Sequence, residues 1–368
     1  MSLNFDLASC VRATSRLSEC TKCIEICPVS TLEIVENTPT FTPSACIDCG
    51  GCVGICPTEA FSLKEFSTVD LFFSMLEDGE KLISCKKSIP CLSMLTVEHL
   101  ISMVLTNEED IILDLGHCQN CEIRDPLYGQ ILQNIEECNF ILSSFSKKEL
   151  VVDFTGYHPP EHTEESDISS RRSFLSNISL GGAVRQKEAF DQALNADEQK
   201  QFEIDDSVIS KIKEREIPNK RKILFTALKR AEKPAVYEIL PEEDVSFTSQ
   251  KFVDESCTNC QICYRICPTG ALSSDGKFSL INFDAMLCLK CRLCHDVCEP
   301  DAIGLQKGFE IKEFFEPTQR TLASFDIKRC GECGGYFTYQ GGEVICPRCS
   351  TEEEEAMILH ENARKINF

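Results

Sequence analysis

The sequence predicts an α+β protein assembled from several small units rather than around one large core. Three observations lead to that expectation. The 368 residues include 25 cysteines, an excess that dominates the composition. These fall into four blocks, Cys10–Cys56, Cys85–Cys138, Cys257–Cys298 and Cys330–Cys349, with a cysteine-free stretch from about 154 to 250. Blocks one and three share an arrangement of two short cysteine runs, the mark of an internal repeat.

So many cysteines serve either disulfides or metal. Disulfide scaffolds are characteristically short secreted chains. This chain is long, and its start, MSLNFDLASC, lacks a basic segment followed by an apolar run. No stretch approaches the apolar length of a membrane span. The expected setting is a reducing cytoplasm, where clustered thiolates bind metal. The net charge of −22 argues against nucleic acid, which requires a basic face. An acidic surface serves solubility, and it also steers docking onto a basic patch of a partner.

Block three contains Cys257-x2-Cys260-x2-Cys263-x3-Cys267-Pro268, then Cys288-x2-Cys291-x2-Cys294-x3-Cys298. In spacing and proline placement this resembles the bacterial two-cluster ferredoxin family. In that family three closely spaced thiolates wrap one cubane corner and the fourth ligates the other cluster. Carried over, the resemblance implies one 4Fe–4S cluster on Cys257, Cys260, Cys263 and Cys298, and a second on Cys288, Cys291, Cys294 and Cys267. Glu299 separates Cys298 from Pro300, a departure that leaves the ligands unaffected. Cys291-x2-Cys294-His295 also spells a haem-attachment motif, but covalent haem would take two thiols from a complete run, so His295 is expected at the surface or behind a ligand.

Block one matches in its second half, Cys46-x2-Cys49-x2-Cys52-x3-Cys56-Pro57. Its first half reads Cys20-x2-Cys23-x3-Cys27-Pro28, with Leu17 where a leading cysteine would stand. Cys10 looping back supplies the missing thiolate; a three-iron cluster or a non-cysteine ligand are the alternatives. The expected sets are Cys10, Cys20, Cys23 and Cys56, and Cys46, Cys49, Cys52 and Cys27. A longer loop costs little closure entropy. Each module is expected to be two hairpins and two helices around two cubanes, the clusters replacing much of the apolar core.

Block four, Cys330-x2-Cys333 and Cys346-x2-Cys349, looks like a zinc ribbon, whose four thiolates make a closed structural site. A rubredoxin-like iron has the same ligands. The tail after it reads as an acidic helix. In block two, Lys81–Ser84 and Asp110–Leu115 read as buried strands, Thr96–Leu105 as the helix between them and Ile131–Cys138 as a second helix. That βαβ pattern implies a small parallel sheet, with Cys85 and Cys118 just past two strand ends, where ligand sites collect. With Cys91 and Cys121 they form an additional candidate site for a metal or cluster; free thiols are the other reading. The layout loosely resembles the small iron–sulfur subunit of some methanogen hydrogenases, which would imply a 2Fe–2S cluster. Cys138 reads as core. In the cysteine-free stretch Asp206–Arg215 and Lys220–Arg230 are amphipathic and expected to pack modules together. Arg171–Arg172 reads as a basic helix start rather than an export signal.

The expected organisation is a first dicluster module (1–66), a small α/β domain (67–155), a linker with amphipathic helices (156–246), a second dicluster module (247–312) and a zinc-ribbon segment with helical tail (313–368). No nucleotide- or flavin-binding fingerprint is present. The expected function is single-electron relay through four 4Fe–4S clusters, with a zinc ion in the ribbon, and not catalysis. The redox partner would be a metalloenzyme, of formate dehydrogenase or hydrogenase type by analogy only. A fixed subunit of an oxidoreductase complex, or an assembly factor for a metalloenzyme, are the competing functions.

Overall fold

The computed structural model describes residues 3–158 and 217–366. The Asp206–Arg215 segment, the Arg171–Arg172 pair and most of the linker expected over 156–246 lie outside the described residues.

The two repeat modules have the same plan. In the first, Leu3–Phe5 pairs antiparallel with Phe61–Leu63 and so ties the module's ends together. Leu32–Val35 forms a hairpin with Thr38–Phe41. Its turn residues Glu36 and Asn37 both have positive φ, as a two-residue hairpin turn of matching twist demands. Helices Lys22–Glu25 and Gly51–Ile55 carry the cysteine runs. In the second module Lys251–Val253 pairs with Ile303–Leu305, Leu272–Ser273 pairs with Leu280–Asp284, and the helices are Ile262–Ile266 and Leu293–Asp296. Each module therefore has one hairpin and one end-to-end pair rather than the two hairpins expected. The end pairing holds the first and last strands of so short a segment in register.

The second module reaches beyond the boundaries expected at 246 and 312. Ile239–Pro241 pairs with Gly308–Glu310, and Gln319–Ser324 adds a third strand beside Leu280–Asp284. Arg320 bonds both Glu310 and the buried Glu313, fastening the added strand. These flanks cover sheet edges that would otherwise be open.

The middle unit is a parallel sheet of Leu82–Ile83, Ile111–Asp114 and Leu150–Asp153. The third strand and the helix Thr68–Asp78 before the sheet were not among the sequence expectations. That helix is capped by Ser67 and ends at Gly79. The helix Val97–Thr106 starts in a capping box of Thr96 and His99. Burial pushes the His99 imidazole down to about 3, so it stays neutral and its Nδ1 is free to meet the cap. Helix Arg124–Ser143 completes the layer and buries Cys138 completely.

The modules are joined through Asn219–Arg230, which lies along Val97–Thr106 and buries Ile223, Leu224, Ala227 and Leu228. Its Arg221 is fully buried. Nε donates to Glu98 Oε1 at 2.6 Å, and the guanidinium also donates to the carbonyls of Met286, Cys288 (2.9 Å) and Phe247 (2.8 Å). One side chain thus holds the middle unit against the second module. Replacing Arg221 by Ala strands the Glu98 carboxylate and three carbonyls; the expected cost is about 3–5 kcal/mol, read as a fall in the denaturant midpoint. Arg221→Met with Glu98→Leu should recover only part of that loss: it removes the stranded carboxylate, but the buried Lys220 Nζ, 4.0 Å from Glu98 Oε2, loses its carboxylate neighbour.

Candidate metal centres

The three complete cysteine runs wrap their sites with the same backbone device. In Cys46–Cys52, Asp48 and Gly50 have positive φ; in Cys257–Cys263, Asn259 and Gln261; in Cys288–Cys294, Lys290 and Arg292. The left-handed residues flank the central cysteine of each run. They turn the chain about a single point so that three thiols converge. Such a conformation costs an L-residue on the order of 1–3 kcal/mol, and its recurrence at equivalent positions, with long side chains in the third run, shows that convergence overrides the cost. A second device follows the last cysteine of all four runs. Ser30, Glu59, Gly270 and Asp301, each three residues past Cys27, Cys56, Cys267 and Cys298, are also left-handed. That turn aims the next amide back: Ala60 N–H donates to Cys56 Sγ and Ala302 N–H to Cys298 Sγ, both at 3.3 Å. Amide donors to sulfur stabilise the thiolate and tune a cluster's potential.

The first run departs from this pattern. Leu17 is exposed, and no residue from Leu17 to Cys27 is left-handed. Cys10 is instead brought in from upstream. It sits between a short helix capped by Asp6 and the helix Val11–Thr14. Arg12 Nη1 donates to the Cys20 carbonyl at 3.1 Å, and Asn37 Nδ2 donates to the carbonyls of Arg12 and Ser15. Cys10, Cys20, Cys23 and Cys56 line one cavity, and Cys267, Cys288, Cys291 and Cys294 line another. Cys52 lies among Cys49, Cys46 and Cys27. Cys257 lies among Cys260 and Cys298, and Cys263 among Cys260 and Cys257.

Burial, with the neighbouring thiols, pushes Cys23, Cys263 and Cys294 up to about 12 and Cys49 to about 11. Crowded buried thiols without a counter-charge would stay protonated. A cationic centre inverts that balance by taking the thiolates as ligands. Positive charge also stands behind two of the groups: Lys220 Nζ donates to the Cys56 carbonyl at 2.6 Å, and Arg221 to that of Cys288. The Glu59 carboxylate accepts from the amides of Asn219 and Lys220, joining the turn after Cys56 to the helix that bears both cations. His295 has its Nε2 2.9 Å from Lys251 Nζ; burial and that ammonium hold the imidazole down to about 4, so it accepts from Lys251 beside Cys294.

Residues 18–67 match the family described as 4Fe-4S dicluster domain, and residues 256–303 match another family of the same description. The chain carries two 4Fe–4S dicluster domains. It is an iron–sulfur, ferredoxin-like, metal-binding protein. The first match begins after Cys10, so that residue's place rests on geometry alone. Neither a curated protein nor a solved structure matches the chain. No helix among the described residues is long and apolar enough to cross a membrane.

The C-terminal cysteines sit differently. Cys330, Cys333, Cys346 and Cys349 have their sulfurs all within 4.8 Å of one another, a group that fits a zinc ribbon or a cluster. The first knuckle, Cys330 to Cys333, sits in the connection of a hairpin of Ile327–Arg329 and Tyr336–Thr338, and the second, Cys346 to Cys349, follows that hairpin. Amides of Cys333 and Cys346 hold the Cys330 thiol down to about 6, readying a thiolate. Asn259 bridges this unit to the second module, its Nδ2 donating to Thr338 Oγ1 and the Phe278 carbonyl. Cys85, Cys91, Cys118 and Cys121 are brought to one edge of the parallel sheet.

Sequence reasoning missed the left-handed positions, the amides aimed at sulfur and the roles of Lys220 and Arg221. The first had a partial signal in Asp48, Gly50, Asn259, Gly270 and Asp301, residue types that tolerate positive φ. The others depend on contacts distant in sequence. Exposed Arg292 offers a test of the backbone device. Arg292→Gly should keep iron content unchanged, whereas the β-branched Arg292→Val should lose iron or release it faster to a chelator, measured as iron per chain after anaerobic gel filtration.

Proposed function

We propose that the chain is a linear electron relay of four 4Fe–4S centres, held by Cys46, Cys49, Cys52 and Cys27; by Cys10, Cys20, Cys23 and Cys56; by Cys288, Cys291, Cys294 and Cys267; and by Cys257, Cys260, Cys263 and Cys298, in that order. The observation that carries the order is the junction between the modules. Val11, next to Cys10, forms a buried cluster with Leu293 and Val297 of the second module, and Cys20, Cys291 and Ile266 pack against it. Glu19 N–H donates to Asp296 Oδ2 at 3.1 Å across the same contact. Thiols of two different groups therefore share one dry apolar contact, which keeps solvent reorganisation small when an electron crosses. Within modules, Cys52 neighbours Cys23 and Cys263 neighbours Cys294, which links the remaining steps.

The clusters supply reversible one-electron redox chemistry. The chain's own residues hold them, exclude water at the junction and bias two inner centres with Lys220 and Arg221. Fixed cations near a centre favour its reduced form, so these two would have the higher potentials. The ribbon cysteines are assigned a structural zinc: a tetrahedral ion with bonds of about 2.3 Å needs sulfurs about 3.8 Å apart, and Cys333 Sγ lies 3.7 Å from Cys346 Sγ. The partners are a one-electron donor and an acceptor, at least one a metalloenzyme, in the cytoplasm; formate dehydrogenase and hydrogenase types are analogies only.

The four cubanes should bring about sixteen iron atoms, with about one zinc, to anaerobically purified protein. Cys10→Ser should turn one cubane into a three-iron centre, seen as its oxidised EPR signal, with the other three unchanged. A full three-iron signal in undamaged wild type would remove Cys10 from the ligand set. For the relay itself, Val11→Asn hydrates the junction. With all iron retained, freeze-quench EPR after partial reduction should show slower equilibration between the module signals; unchanged equilibration would sink the proposed order.

A further inference from the structure

The fourth set of cysteines, in the middle unit, lies outside both dicluster domains. Its placement follows from the sheet. Strands Leu82–Ile83 and Ile111–Asp114 are parallel neighbours, so the loops after them leave from the same edge. Cys85 begins one loop and Cys118 lies in the short helix Gly116–Asn120 of the other. The fully buried Asp114 pins the edge. It accepts from Ser84 Oγ at 2.6 Å, from Gly116 N–H at 2.9 Å and from Tyr157 N–H at 3.0 Å. Cys91 is placed by the turn Leu92–Met94, with Ser93 Oγ 3.3 Å from its sulfur. Cys118 has Cys85, Cys91 and Cys121 as its thiol neighbours. Four thiols from two loops thus face one point.

Spacing decides what that point can hold. Among the described residues, the ribbon cysteines form the one group of three or more candidate ligand atoms lying within 4.8 Å of one another. The middle thiols are spread more widely, as are those of the dicluster domains. A single tetrahedral ion needs thiolates about 3.8 Å apart; a cluster of several ions, standing between its ligands, needs them farther apart.

The position is as telling as the spacing. The turn after Cys91 packs flush on the glycine-rich run of the first module. A Cβ on Gly54 would lie 2.1 Å from the Ser93 carbonyl oxygen, and one on Gly50 2.4 Å from Met94 Sδ. Only glycine permits that approach, and it brings Cys91 among the neighbours of Cys49.

We propose that Cys85, Cys91, Cys118 and Cys121 hold a fifth, polynuclear iron–sulfur centre, which exchanges single electrons with the adjacent centre of the first module. In that exchange one centre is oxidised by one electron and the other reduced by one, with no bond made or broken at the thiolates. Cys121 is exposed while Cys91 faces the module, so the centre stands at an outer end of the relay, where a one-electron carrier meets it. The placement at the relay's end rests on the relay reading; the existence of the centre does not.

The test compares wild type with Cys118→Ser/Cys121→Ser, both purified anaerobically as full chains, by iron, acid-labile sulfide and zinc per chain and by EPR of the reduced protein. The variant should lose about two to four iron with matching sulfide while the cubane signals persist. Because Cys121 is exposed, the single Cys121→Ser variant guards against misfolding and should show the same loss or a labile centre. Equal iron in wild type and variants, or loss of zinc instead of iron, would overturn the proposal. The difference between proteins tests this centre alone; the iron remaining in the variant, set against about sixteen, tests the relay separately.

Discussion

Crowding of buried thiols is the constraint on which the rest of the molecule depends. Burial and mutual repulsion raise the pKa values of Cys23, Cys52, Cys263 and Cys294, so the apo arrangement has no reason of its own to hold these together as thiolates. A cationic centre removes the penalty and becomes the core that these short segments lack. The backbone accepts left-handed residues at recurrent positions because the geometry is dictated from the centre outward.

The second organising contact is the helix Asn219–Arg230. Two successive basic residues divide their duties: Lys220 reaches the Cys56 carbonyl of the first module, and Arg221 reaches the Cys288 carbonyl of the second and Glu98 of the middle unit. All three units are therefore registered from one turn of helix. A buried ion pair contributes little net stability when solvation is counted, but removing one partner is costly. Its service here is to specify how the units sit, and with them the distances between metal centres.

Much of the site chemistry was legible because ferredoxin ligands are local. The spacing of three cysteines at intervals of three, with proline after the last, encodes a loop that needs no distant information. The gap left at Leu17 pointed to Cys10 as a candidate, and its place in one cavity with Cys20 depends on hydrogen bonds that no spacing announces. The βαβ pattern showed as two apolar strands around an amphipathic helix, yet its third strand, Leu150–Asp153, was missed since a short run of LVVD before a polar stretch carries no period. The boundaries at 246 and 312 were drawn by composition, whereas the strands Ile239–Pro241 and Gln319–Ser324 are recruited by pairing across them. The role of Gly50 and Gly54 was invisible for the same reason: a glycine kept for what touches it reads like one kept for its turn.

The uneven wetting of the thiols has a consequence for survival in air. Cys121 and Cys260 are exposed, while Cys10, Cys23 and Cys56 are buried. Iron–sulfur centres are dismantled by oxidants that must first reach the metal or its ligands, and susceptibility follows exposure. On the proposed order of centres, damage would begin at the extremities, so an oxygen-injured molecule would lose its terminals before its middle.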